Sequence, residues 1–454
     1  MRAGVLLAAT AALHPACSEP CCIYDSRPIA LERAAEGELL ARVTVDGEGP
    51  RHAIIDTGTP ISIWNAPLTD QLPLVRRREV HLLGVTDQSP APTRAVLRRT
   101  MTVAAPLSAL PGTPDAMPPI ALLGGDLLGN FSIEIGFGVP ELVIWPEQQA
   151  TDGFLSSAGY AVLHLERRGG GELESKAPRE GIGPAGPYQY PASLLVLRAC
   201  AAPAPFDRAQ ALPARCCPGD ERTLASGADL SLLVGTGFGP VILSRSAWTR
   251  IAARLDSPPA MTSESLVVAT FPEPIAAQRT TLPRLALMDR ETDPALDPGP
   301  CVELGRARRL EQVALSQSQS AQHALCALPC DQDPRTDHRA QNSAGYLELA
   351  GDLPVAVIDD GEALLQTVRA EVHPGAPEID GIIGADALRS ARVELDYKSQ
   401  PARAIFSCEA AAAATACRAV GRCPRLPEPG QAHSCFGLPA HALPGLCDNP
   451  TACN

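Results

Sequence analysis

The sequence predicts an all-β protein of two related lobes, with few short helices and a cysteine-rich appendage at its C-terminal end. Three observations predict this fold. The 454 residues contain 45 Pro and 37 Gly, which interrupt long helices and favour short strands joined by turns. Apolar and polar residues alternate in several short runs, as half-buried strands require. Two sequence elements recur in the same order in both halves, which indicates a duplication.

The N-terminus has the organisation of a secretory signal over residues 1–16. A basic start precedes an apolar run at 3–13, which is too short to span a bilayer. The small Ala16 stands directly before Cys17, and this pair resembles the processing site of bacterial lipoproteins. Cys17 is therefore the candidate for lipidation. We expect an exported protein, either a lipoprotein of a bacterial cell envelope or a secreted or periplasmic protein.

The first predicted lobe covers 17–146 and opens with a β-hairpin. Residues 38–46 alternate as a strand, 47–49 form a turn, and 52–55 form a second strand. The strand at 52–55 runs directly into an Asp-Thr-Gly-Thr sequence. The hairpin therefore presents this polar sequence at the end of a buried strand.

Two elements are shared by the two halves of the chain. The first is AIIDTGTPISIW at 53–64 and LLVGTGFGPVILS at 232–244. The second is LLGGDLLGNFSIEIGF at 122–137 and IIGADALRSARVELDY at 382–397. The second copy defines a second lobe over 189–407.

Three segments lie between or beyond these elements. Residues 147–188 are rich in Gly, Pro and charge and are interpreted as a linker. Residues 292–342 are polar and form most of an insertion in the second copy. Residues 408–454 hold six Cys and too little apolar material for a core of their own. We interpret them as a disulfide-held appendage.

The cysteines agree with export. A chain with 15 Cys belongs to an oxidising compartment, and lipidation of Cys17 would leave an even number for disulfides. A zinc site is the alternative for Cys326 and Cys330, but no second Cys or His pair with ligand-like spacing lies nearby. We therefore expect disulfides, no metal and no cofactor.

Charge limits the partners. The net charge of -13 opposes binding to nucleic acid or to an anionic lipid surface through general electrostatics. We expect no nucleic-acid partner, and contact with a membrane only through a lipid anchor. The sequence gives no indication of an oligomeric state.

Asp56-Thr57-Gly58 is the sequence that indicates chemistry. Flanked by apolar strands and followed by an apolar-apolar-Gly element, it resembles the aspartic peptidases of the pepsin and retropepsin type, over residues of about 35–407. The resemblance implies two β-barrel lobes related by a pseudo-twofold axis, each giving one Asp to a shared site. In that family the two carboxylates share one proton, since like charges so close cannot both ionise, and they activate the water that attacks a peptide carbonyl.

The resemblance also implies roles for neighbouring residues. Thr59 would donate a hydrogen bond to the Asp56 carboxylate. Thr57 and Thr236 would brace the two loops across the lobe interface. These bracing contacts are structural, so the fold can persist without the chemistry.

The second copy departs from the family at the position of the second Asp. The copy contains Gly235-Thr236-Gly237, so Gly235 stands where the family has Asp, and Phe238 stands where it has Ser or Thr. Both the carboxylate and its hydroxyl partner are lost. We therefore interpret this loop as a degenerate second site.

Other acids are interpreted as structural. Asp229 lies about 20 Å from Gly235 along a strand. Asp126 and Asp386 are expected to be helix N-caps. Asp359-Asp360 precede a Gly and are expected to form a turn.

Three functions remain open. The favoured one is a catalytically impaired homologue that binds an extended peptide or protein between the lobes. The second is an active aspartic endopeptidase, in which Asp56 works with an unidentified second acid or pairs in trans with another molecule. The third is a non-catalytic surface scaffold lipoprotein. We also expect Asp56, without a like-charged neighbour, to titrate as a more ordinary carboxylate, without the two separated pKa values of a carboxylate pair.

Overall fold

The computed structural model describes much of both predicted lobes. The described residues are 22–24, 28–66, 75–83, 93–110, 118–145, 160–173, 188–203, 205, 227–270, 273–289, 299–305, 307–308, 345–372, 378–397, 402–409 and 416–420. The predicted signal at 1–16, Cys17, and the pair Cys326 and Cys330 lie outside them. Within the described part, no helix is both long and apolar enough to cross a membrane.

Strands dominate the described residues, and the helices are short. The first-half strands are β1 Cys22–Tyr24, β2 Ile29–Ala30, β3 Glu32–Arg33, β4 Leu39–Val45, β5 Glu48–Ile55, β6 Ile63–Asn65, β7 Val75–Leu83, β8 Thr93–Ala105, β9 Ala121–Leu123, β10 Ser132–Gly136 and β11 Glu141–Trp145. The second-half strands are β12 Tyr160–Arg168, β13 Gly171–Leu173, β14 Tyr188–Tyr190, β15 Leu194–Ala201, β16 Ala228–Val234, β17 Val241–Ser244, β18 Thr262–Leu266, β19 Ile275–Met288, β20 Tyr346–Ile358, β21 Gly381–Ile383, β22 Ala391–Asp396, β23 Ala402–Cys408 and β24 Cys417–Val420. The helices are α1 Gly125–Leu128, α2 Arg245–Ala252 and α3 Ala363–Glu371, and residues 300–305 are also helical.

The first lobe is built on an eight-stranded sheet in the order β1-β8-β6-β9-β5-β4-β3, with β7 paired to β4 and β8. The predicted hairpin is β4 and β5, with Leu40 opposite Ile54. Its second strand β5, which precedes the candidate site, is buried on both faces where it ends, because Ile54 packs in a separate apolar cluster from Ala53 and Ile55. This double burial fixes the end of β5.

Strand pairing confirms the duplication. Strand β5 pairs in parallel with β9, placing Ile54 opposite Leu122, and β16 pairs in parallel with β21, placing Leu233 opposite Ile382. Leu122 and Ile382 also pair with corresponding residues of the next strand, β6 in one lobe and β17 in the other. Equivalent residues of the two copies therefore occupy equivalent places, and the predicted two-lobed, all-β fold is confirmed.

A sheet of 14 strands joins the two lobes. Its order is β18-β19-β20-β17-β21-β16-β15-β12-β23-β22-β10-β11-β2, with β24 paired to β20. Near one end of this order, β10 of the first copy pairs antiparallel with β22 of the second, and Glu134 lies opposite Glu394. These two glutamates correspond in the sequence repeat. The pseudo-twofold axis therefore passes between them.

The expectation of a linker over 147–188 is wrong for part of that segment. Strand β12 lies within it and pairs antiparallel with β23 and β15. Ala161, Leu163 and Leu165 alternate along β12 and are buried. The Gly-rich and Pro-rich flanks obscure this alternation in the sequence. The segment therefore adds an inner strand to the sheet that joins the lobes.

The described parts of the insertion and of the tail are tied to the second lobe. A disulfide links Cys301 of the insertion to Cys200 of β15. A second disulfide links Cys408 to Cys417, and β24 extends the second-lobe sheet by pairing with β20. The start of the tail is therefore part of the lobe. Residues 309–342 and 421–454 lie outside the described residues.

Candidate functional site

Two loops meet where the strands β5 and β16 end. The backbone N–H of Thr57 donates to Oγ1 of Thr236 at 3.2 Å, and the N–H of Thr236 donates to Oγ1 of Thr57 at 3.3 Å. Each hydroxyl also donates across the interface, from Thr57 to the Val234 carbonyl at 3.0 Å and from Thr236 to the Ile55 carbonyl at 2.8 Å. The predicted approach of the two threonines is therefore present, with four hydrogen bonds joining the lobes.

Asp56 lies at the centre of this junction with 2% of its surface exposed. Its Oδ1 accepts hydrogen bonds from the N–H of Gly58 at 2.7 Å and from the N–H of Gly237 at 3.0 Å. Its Oδ2 accepts one from the Thr59 hydroxyl at 2.6 Å, the contact that the resemblance implies. A side chain at Gly237 would collide with the Asp56 carboxyl, so glycine there allows the two lobes to share this group.

The environment of Asp56 favours its protonated form. Burial raises the pKa of Asp56, and the hydrogen bonds from Thr59, Gly58 and Gly237 oppose this rise. Burial therefore gives Asp56 a higher pKa than a more ordinary carboxylate would have, while the lack of two separated pKa values stays a prediction. Removal from water disfavours the charged form even without a like-charged partner on the opposite loop.

Apolar side chains surround Gly235, the residue that corresponds to Asp56 in the repeat. A Cβ atom at Gly235 would lie 2.7 Å from Cγ2 of Ile382 and 2.9 Å from Cδ2 of Phe238. Real Cβ atoms do not approach carbon so closely in a packed interior. Phe238 is 7% exposed and packs in an apolar cluster with Leu194 and Val196. The two halves of the site therefore differ in kind, one being polar and the other apolar.

Neither expected N-cap aspartate caps a helix. The N-cap of α1 is Gly124, without a side-chain hydrogen bond, and Asp126 instead accepts one from the Ser62 hydroxyl at 2.7 Å. The corresponding residues 385–390 form turns rather than a helix. Asp386 there pairs with Arg33 of the first lobe at 3.0 Å. Tertiary partners take both carboxyls and leave none for capping.

The remaining acids also have structural partners. Asp229 accepts the backbone N–H of Cys301 at 2.7 Å, beside the disulfide and at the far end of β16 from the site. Asp360 lies in the predicted turn and accepts the Ser246 hydroxyl at 2.6 Å, next to the start of α2. None of these contacts brings a carboxyl to Asp56.

Two groups missed by sequence reasoning lie within electrostatic reach of Asp56. Burial, and then the charge of Asp56, raise the pKa of Glu371 at the end of α3 to about 7. Burial raises the pKa of Tyr397, opposed by Arg167 and reinforced by Asp56. The Tyr397 hydroxyl is buried, without a hydrogen-bond partner among the described residues. Tyr397 corresponds to Phe137 in the repeat, so the sequence shows an extra hydroxyl in the second lobe at this position. No feature of the sequence distinguishes Glu371.

No protein-family model matches the sequence, and no curated protein matches it. Among solved structures, the chain is similar to the aspartic proteinase from Irpex lacteus, with 10% sequence identity and a TM-score of 0.36. The similarity covers 86% of this chain and 99% of that one.

Proposed function

We propose that this protein is an exported aspartic-peptidase-like protein that binds an extended peptide or protein segment between its lobes and is catalytically impaired. The observation that supports this proposal is the asymmetry of the site. The carboxyl of Asp56 accepts three hydrogen bonds. Gly235 instead faces Phe238 and Ile382, which occupy the space that a second acid would need.

Hydrolysis by this type of site needs two groups. One carboxylate takes a proton from the attacking water, and the other carboxyl polarises the peptide carbonyl. A positioned acid or base contributes on the order of 10²–10⁴-fold to a rate. Gly235 supplies neither function, so we expect little cleavage of ordinary substrates.

Binding of a peptide segment, unlike its hydrolysis, does not need a second acid. The hydrogen bonds between Thr57 and Thr236 hold the two loops in register without help from a second acid. The raised pKa of Asp56 favours a neutral carboxyl. A neutral carboxyl can donate a hydrogen bond to a backbone carbonyl of a bound chain.

The decisive experiment measures binding and cleavage separately. Wild type should bind a pepstatin-type inhibitor or unfolded polypeptide in calorimetry at acid pH, and Asp56→Ala should weaken that binding. Wild type should leave denatured protein almost uncut under the same conditions. The double change Gly235→Asp with Phe238→Thr should raise cleavage, because it returns both the acid and its hydroxyl partner. Robust inhibitor-sensitive cleavage by wild type, abolished in Asp56→Ala, would contradict impairment.

An active endopeptidase is the second candidate, because Glu371 offers an acid whose pKa responds to the charge of Asp56. In that case wild type would cleave the substrate, and Glu371→Gln would abolish this activity as completely as Asp56→Ala does. If the favoured proposal is right, Glu371→Gln has no measurable cleavage to remove. The same assay therefore separates the two candidates.

A further inference from the structure

A turn of the first lobe is seated on the second lobe directly beyond the degenerate loop. The turn at 34–38 is closed by backbone bonds between Ala34 and Glu38 and between Gly37 and Ala34, at 3.0 Å each. The carbonyl oxygen of Glu36 packs against Gly239 so closely that no side chain fits there. Gly37 packs in the same way against the carboxyl of Asp386. A movement of this turn would therefore displace Gly239, the residue directly after Phe238.

Glu38 closes this turn and is an acidic residue with a buried side chain. It is 2% exposed, and its Oε2 atom has no hydrogen-bond partner among the described residues. A buried carboxylate with one oxygen left without a hydrogen bond is costly, whereas a neutral carboxyl is much less so. The charges and hydrogen bonds around Glu38 therefore determine whether its carboxyl is protonated or ionised in the folded protein.

The surrounding charges disfavour an ionised Glu38 on balance. Burial is the largest cause that raises the pKa of Glu38 to about 7; a backbone hydrogen bond and Arg279 oppose it, and the charges of Glu36 and Asp386 add to it. Arg279 is already shared between Glu36 and Glu264. The charged groups around the turn form ion pairs among themselves. They are Arg33, Glu36, Glu264, Arg279, Asp386 and Arg389.

We propose that the seat of turn 34–38 on Gly239 is a proton-operated contact between the lobes, closed while Glu38 is protonated and loosened when Glu38 ionises. This inference goes beyond the proposed function and does not depend on it. The folded state favours the protonated form of Glu38. The contribution of that form to the stability of the protein is therefore complete below pH 4.5, which is the ordinary pKa of a glutamate. It is lost as the pH rises to about 7 and stays lost above that value.

Unfolding of the full chain between pH 4 and pH 8 tests the proposal. Relative to Glu38→Gln, the unfolding equilibrium of wild type should shift towards the unfolded state by on the order of 10²-fold between pH 4.5 and pH 7. Glu48→Gln, at an exposed position of the same lobe, is the matched control and should follow wild type. Identical pH profiles for wild type and Glu38→Gln would overturn the proposal.

Two measurements on wild type keep the test independent of the variant. Carboxyl titration followed by ¹³C NMR should assign Glu38 a midpoint near neutrality, and an ordinary midpoint would reject the proposal. Hydrogen exchange should report opening of 34–38 and 237–240 as Glu38 ionises, after correction for intrinsic rates. Opening spread evenly over the whole molecule would show that Glu38 affects global stability without a local contact, which also rejects it.

Discussion

Gly235 and Asp56 occupy corresponding places in the two lobes, yet their surroundings impose different limits on substitution. Asp56 has three hydrogen-bond donors around its carboxyl. Gly235 has the ring of Phe238 and a methyl group of Ile382 where its side chain would begin. An Asp side chain placed at position 235 would therefore meet both apolar groups, and Phe238 could not donate a hydrogen bond to it as Thr59 does to Asp56.

The first prediction is that Gly235→Ala destabilises the protein by about 1–3 kcal/mol, because one added methyl group forces Phe238 or Ile382 to move. Gly361→Ala is the matched control, since a Cβ there meets nothing within 4 Å. Urea unfolding of the three proteins measures the difference. Equal stabilities for Gly235→Ala and wild type would mean that the apolar packing at this position is loose.

At this scale the contacts of Thr57, Thr236 and Thr59 could be predicted, because the resemblance to aspartic peptidases implies them. The raised pKa of Asp56 could not, because its burial is produced by both lobes together. The position of Glu371 within electrostatic reach of Asp56 could not be predicted either, because no motif marks its helix.

At the scale of elements, the loops after β5 and β16 depend on each other. Each loop satisfies backbone groups of the other through a threonine hydroxyl, and these groups are buried. Removing one hydroxyl leaves a buried carbonyl and a buried N–H without partners. An unsatisfied buried polar group costs about 1–3 kcal/mol.

The second prediction therefore concerns Thr57→Val, which keeps the shape of the side chain and removes its hydroxyl. We expect a loss of about 2–4 kcal/mol of unfolding free energy, from the Val234 carbonyl and the Thr236 N–H together. Thr249→Val, on the exposed face of α2, should change stability by less than about 0.5 kcal/mol. A Thr57→Val protein as stable as that control would show that the brace is not needed for the fold.

The hairpin of β4 and β5 could be predicted, because its alternation and turn are local. Strand β12 could not, because its partner β23 is far away in the sequence and its flanks resemble a loop. The capping roles of Asp126 and Asp386 fail for a related reason. Local propensity offers a cap, but Ser62 and Arg33 from distant segments take the carboxyls instead.

At the scale of the whole molecule, export and anchoring stay predictions. A disulfide between Cys200 and Cys301 agrees with an oxidising compartment. The third prediction is that the mature chain begins at Cys17 and carries lipid on it. Mass spectrometry of the purified N-terminus from a lipoprotein-processing bacterium measures this, with Cys17→Ser as the control. An unmodified Cys17, or a start at another residue, would leave a simply secreted protein.

The opposition of Glu134 and Glu394 has a consequence for how the two lobes can vary. In a symmetric homodimer, a residue on the twofold axis meets its own copy. Here two different positions of one chain meet as if they were that single residue. Once both subunits belong to one polypeptide, symmetry no longer obliges them to change together. The two lobes of this chain can therefore hold different residues at corresponding places, as they do with Asp56 and Gly235.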